Sequence, residues 1–117
     1  MRRESERLQD ILDAIIAVER YSNQGKQVFD EQELIQIWMV HHFQIIGEAA
    51  NALSPERLRR YPMIPWRQII GLRNMLVHEY FKIDRRAIWD IIEMDLPPLK
   101  LTVEKMLQDF RNEHSSI

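Results

Sequence analysis

Cysteine is absent from this 117-residue sequence, which excludes disulfide bonds and thiolate metal sites. Glycine is scarce, at three residues, and proline little more frequent, at five, so few positions force a helix to stop. No apolar run approaches the roughly 18 residues of a membrane span. The opening stretch MRRESERLQD has arginines but no apolar segment behind them, unlike a secretory signal, so a cytoplasmic location without a membrane is expected. Neither sign of charge prevails: the formal net charge is −2, which does not by itself advertise a nucleic-acid binder.

What is present leans helical. Ile, Leu, Met, Glu, Gln and Arg are plentiful, and the 45% hydrophobic and 29% charged content suits a folded domain. The length suits one domain, residues 1–117, with a modest core. The charge is unevenly distributed. Residues 1–56 hold five Lys or Arg against ten Asp or Glu, and residues 87–117 hold three against six. Residues 57–86 hold eight against two. This basic middle either attracts a polyanion or pairs with its acidic flanks, and charge alone leaves both readings open.

Helical periodicity organises the chain. Leu8, Ile11, Leu12, Ile15 and Val18 predict a helix over Ser5–Asn23, ended near Gly25. Lys26–Phe29 reads as a short link, with Asp30 as the cap of the next helix, Glu31–Leu53. That helix carries two apolar stripes, Leu34–Trp38–His41–Ile45–Ala49–Ala52 and Ile35–Met39–Ile46–Ala50–Leu53. Two stripes imply burial on two sides, the second against a partner subunit, with Gly47, Ala49 and Ala50 admitting another helix. Ser54-Pro55 opens a short helix. Pro65 starts another over Trp66–Phe81, and Asp84 caps a third through Asp95. Asp95-Leu96-Pro97-Pro98 breaks or kinks it. A last helix ends near Phe110, leaving 111–117 as a frayed tail. No period-two segment marks a sheet. The expected fold is all-α, an antiparallel bundle of four to six helices.

The stretch RNMLVHEY, Arg73 to Tyr80, places polar groups within an apolar helix. At about 100° per residue, Arg73 and Tyr80 project into the arc of Ile69, Leu72 and Leu76, while Asn74, His78 and Phe81 form a second row. An arginine in an apolar arc is costly unless paired or wet. The bland reading pairs Arg73 with an acid such as Glu48. Arg73 and His78 lie about 140° apart, so a joint site needs the arginine to wrap around or a second copy to contribute.

These residues resemble the Arg-x4-His-x-Tyr motif of the HepT-like ribonuclease toxins, within the HEPN superfamily. IIGEAANALSPE (45–56), YPMIPWRQIIGLRNMLVHEYFKID (61–84) and IWDIIEMDLPPLK (88–100) resemble the family's blocks, in order. The resemblance implies a HEPN-like α-helical homodimer whose motif helices meet at a cleft. It implies a metal-independent endoribonuclease that needs no cofactor, with Arg73 and His78 as the catalytic pair and Asn74 nearby. It implies that Tyr80 receives AMP from a minimal nucleotidyltransferase antitoxin of the MntA type, in a homodimer or a larger assembly with it.

The residue types suit that chemistry. A 2′-hydroxyl attacking its own phosphodiester needs a group to move a proton, for which His78 has the right unperturbed pKa. It also needs a fixed cation for the phosphorane, which Arg73 offers. A 2′,3′-cyclic phosphate product is expected. Glu48 is a supporting candidate, as a partner for Arg73. Arg57, Arg60, Arg67 and Lys82, with Arg59, are candidates for guiding RNA; otherwise they are a solvated face. His41 and His42 point about 100° apart and make a poor chelate, so no metal site is expected. Trp38, Trp66 and Trp89 read as packing residues. The rival functions are a non-catalytic helical module that binds the nucleotidyltransferase or a nucleotide, and a purely structural dimerisation domain with Arg73 buried and paired.

Overall fold

The computed structural model describes residues 3–75 and 84–115. His78, Tyr80 and Lys82 lie outside the described residues. Those described form helices and turns, without a strand among them. Helix α1 spans Glu4–Ser22, α2 Lys26–Glu31, α3 Glu33–Asn51, α4 Pro55–Arg59 and α5 Trp66–Gly71, which continues as a 3-10 turn, Leu72–Asn74. Helix α6, Arg85–Asp90, passes through a π-turn, Ile91–Asp95, into α7, Leu96–Ser115. No helix among the described residues is long and apolar enough to cross a membrane.

Three long helices are aligned by pins at both ends. The indole N–H of Trp38, early in α3, donates to the carbonyl of Ala17, late in α1, at 2.8 Å. At the other end, the Ser54 N–H just beyond α3 donates to Glu4 at 2.6 Å. Helix α3 therefore runs antiparallel to α1. Lys100 binds Glu19 at 2.9 Å, whereas Arg57 joins Glu4 to Glu113 at 3.0 and 3.5 Å, so α7 is antiparallel to α1 as well. Between these pins the predicted stripe of α1 and the second stripe of α3 meet an apolar face of α7 that was not read from the sequence. Leu8, Ile11, Ile15 and Val18 of α1, Met39, Phe43 and Ile46 of α3, and Leu99, Val103 and Met106 of α7 are almost wholly buried. At about 1.5–3 kcal/mol per buried side chain, this core is the principal favourable term.

Several local expectations change. Lys26–Glu31 is a helix rather than a link. Gly25, at φ 100°, turns the chain into it, and Lys26–Asp30 and Gln27–Glu31 bond across one turn at 2.8 and 3.2 Å. Asp30 is thus spent inside α2 and caps nothing; the residue before α3 is Gln32, without a side-chain cap. The Ser54 and Asp84 caps form as expected, accepting from the N–H groups of Arg57 and Ala87.

Pro97 and Pro98 do not end the helix. The Leu96 N–H reaches back five residues to the Ile91 carbonyl, a wider turn that comes before two residues with no N–H to donate. The expected frayed tail is also helical as far as Ser115. Of the two stripes on α3, the second is core, with only Ile35 half-buried. The first is mixed: Leu34 is 80% exposed and His41 is exposed, Trp38 and Ile45 are half-buried against the core, and Ala49 is buried, as is His42 beside His41.

Candidate active site

The polar stretch begins on a turn, not within a long helix. α5 ends at Gly71, Leu72–Asn74 winds as a 3-10 turn, and Met75 is extended at φ −67°, ψ 129°. The expected helix to Phe81 is therefore interrupted at Met75, its remainder lying outside the described residues. A 3-10 turn advances about 120° per residue instead of 100°, which moves the side chains after Gly71 off the projected wheel. Ile69 and Leu72 stay buried, but Arg73 and Asn74 face solvent. The arginine that the wheel placed in an apolar arc is exposed.

The turn rests on α3. A Cβ built on Gly47 would stand 2.3 Å from the Arg73 backbone nitrogen, 2.9 Å from the Ile70 carbonyl oxygen and 3.0 Å from the Arg73 Cα. Only glycine permits this approach. Gly47, read from sequence as admitting a partner's helix, instead receives the chain's own Arg73 turn, and Ala49 and Ala50 are buried in its core. Gln44, one turn before Gly47, donates its side-chain amide to the Met75 carbonyl. Sequence reasoning passed over Gln44; its available signal was an amide three residues before Gly47 on one helix face. Glu48 is exposed and makes no ion pair with Arg73.

The basic middle divides in two. Arg57 is buried: its Nε donates to Glu4 at 3.0 Å, an Nη lies 3.5 Å from Glu113, and its guanidinium sits 5.1 Å from the Phe110 ring centroid. Burial alone would lower its pKa, but Glu4 and Glu113 prevail and raise it. Burial would raise that of Glu4, but the Ser54 N–H and Arg57 hold it below the ordinary carboxylate range. Arg57 is therefore a structural cation and drops out of the set available to RNA. Arg60 is paired too, with Glu113 at 2.8 Å and Glu56 at 3.5 Å. Arg59, Arg67, Arg73 and Arg86 are exposed and make no ion pair with a described residue.

Other candidates resolve as packing. The Trp66 indole donates to the Tyr61 carbonyl at 2.9 Å, and Trp89 is buried against Phe29. His42 stacks 4.3 Å from Trp38, its Nδ1 2.8 Å from the Trp38 carbonyl. Burial, with His41 and Arg20 nearby, pushes its pKa down despite that hydrogen bond. Among the described residues no three His, Asp or Glu converge as metal ligands.

An all-α domain that exposes a cationic turn braced from behind by its central helix defines a class compatible with handling a polyanion. The family described as "Ribonuclease HepT-like" matches residues 11–106, and the chain belongs to that HepT-like ribonuclease family. It is 33% identical over 100 residues to the "Probable ribonuclease HepT" of Thermococcus cleftensis, covering 85% of this chain and 91% of that one. It is 36% identical over 76 residues to the "Putative RNase MJ1380" of Methanocaldococcus jannaschii, covering 65% and 70% respectively. The "Putative RNase TTE0752" of Caldanaerobacter subterraneus subsp. tengcongensis is 33% identical over 91 residues, covering 78% and 81%. No solved structure matches the chain significantly. Family membership supports ribonuclease activity.

Proposed function

We propose that this chain is the toxin of a toxin–antitoxin pair, a metal-independent endoribonuclease acting on cellular RNA from a site shared by two copies. The observation that carries the reading is the exposed Arg73–Asn74 turn, unpaired with Glu48 and braced by α3, in a member of a ribonuclease family. Arg73 offers a permanent planar cation to a phosphate oxygen. His78 moves the proton as the 2′-hydroxyl attacks, forming the new P–O bond while the 5′-oxygen leaves and takes up a proton. The product is a 2′,3′-cyclic phosphate. Asn74 steadies the imidazole or a phosphate oxygen.

Tyr80 is the modification point in this reading. A nucleotidyltransferase antitoxin transfers AMP from ATP to its hydroxyl, the phenol oxygen bonding to the α-phosphorus as pyrophosphate leaves and the phenol proton is lost, which adds bulk and negative charge where RNA phosphate must bind. Of the RNA-guiding candidates, Arg67 and Lys82 remain in the proposal; Arg60 enters only by giving up Glu113.

The test is cleavage of RNA by purified protein in the presence of EDTA, beside His78→Ala. The parent is expected to cut and the folded variant to lose at least about 100-fold in rate. A variant that cuts as well as its parent removes His78 from the mechanism. A parent that binds the nucleotidyltransferase but never cuts RNA points to the interaction module.

A further inference from the structure

Two contacts between α3 and the Arg73 turn do something that apolar packing does not: they fix backbone atoms. Gln44 donates its side-chain amide to the carbonyl of Met75, the residue at which the chain leaves the helix. Gly47, three positions on and on the same face, lies against the backbone nitrogen and Cα of Arg73. The first contact holds the turn at its end, and the second sets how close it lies to α3. Neither touches the Arg73 guanidinium, which stays in solvent.

This division matters for a cation that must meet a phosphate. Arginine has a long side chain, so its tip is placed well only if its Cα is held rigidly. A displacement of about 1 Å far from the chemistry can cost about 100-fold in rate. At a 3-10 turn followed by an extended residue, the ordinary ladder of helical hydrogen bonds no longer supplies that rigidity. We propose that Gln44 and Gly47 are positioning residues for RNA cleavage, a two-point bracket on α3 that sets the origin and direction of Arg73. The inference rests on the reading that Arg73 acts on RNA phosphate.

Gln44→Leu removes the donor at nearly constant volume. With an oligoribonucleotide substrate it is expected to lower kcat about tenfold and leave KM within about twofold, the pattern of a lost transition-state contact. Gln44→Glu adds a pH readout. A carboxylic acid donates to the Met75 carbonyl only when protonated, so this variant's activity relative to the parent rises as pH falls from about 8 to about 5. The same ratio for Gln44→Leu stays flat. Gly47→Ala must displace backbone and is expected to lose more, or to fold poorly. Hydrogen exchange on Gln44→Leu therefore completes the test: exchange at residues 70–75 accelerates while α1 is unchanged.

A Gln44→Leu variant with the parent's kcat, unchanged exchange at 70–75, or a flat pH ratio for Gln44→Glu overturns the proposal. A parent that cuts no RNA sinks the ribonuclease reading instead, and the exchange measurement tells that failure from a failure of the bracket.

Discussion

Arg57 and Arg73 show how differently one residue type is used in a single domain. Arg57 gathers Glu4, Glu113 and Phe110, and one of its nitrogens, Nη1, is buried without a hydrogen-bond partner. Arg57→Leu takes from Glu4 its cation, while Glu4 keeps the Ser54 N–H and the exposed Glu113 keeps Arg60, so the loss is less than for a fully buried pair: about 2 kcal/mol, read from urea unfolding. RNA affinity is expected to stay unchanged, which separates this arginine from one that binds substrate. Glu4 also sets a pH dependence. Its folded pKa lies below the ordinary 4.5, so its contribution is present above that value and is lost as pH falls through the lower one. Thermal melts are therefore expected to fall as pH drops below the ordinary carboxylate range, and Glu4→Gln to remove its share of that fall.

Among the elements, α2 depends most on its surroundings. Six residues are too few for a helix to persist alone. Phe29 anchors it in the core, and the buried amide of Gln36 donates to the Phe29 and Asp30 carbonyls at 2.9 and 3.3 Å. Gln36→Leu leaves two carbonyls at the helix end without this partner. The expected cost is about 1–2 kcal/mol, with faster hydrogen exchange confined to residues 26–32. Sequence periodicity overlooked α2 because six residues give too little apolar repeat to register. Apolar spacing found α1 and α3 because each repeats its stripe over several turns. The π-turn is the opposite case: Pro97 and Pro98 signal a disturbance, but the helix absorbs it by widening at Ile91–Asp95.

For the whole molecule, the proposed composite site makes a prediction that no single chain can satisfy. If Arg73 of one copy serves His78 of another, Arg73→Ala and His78→Ala proteins are each inactive, but mixed dimers contain one intact site. Refolding the two together in equal amounts is expected to restore about a quarter of the parent's cleavage, since half the dimers are mixed and each has one good site of two. No recovery, with mixed dimers verified by mass, places both residues in one chain's site.

The local pattern of residues was enough to establish the all-α class, the core stripes of α1 and α3, the Ser54 and Asp84 caps, and the family to which the chain belongs, because periodicity, capping and motif order are short-range properties. Only tertiary structure decided that Arg57 is buried and Arg73 exposed, that Gly47 serves the chain's own turn, and that Gln44 grips Met75. Each of those depends on which helix lies across which, and a wheel drawn for one straight helix cannot register a 3-10 turn or a neighbour.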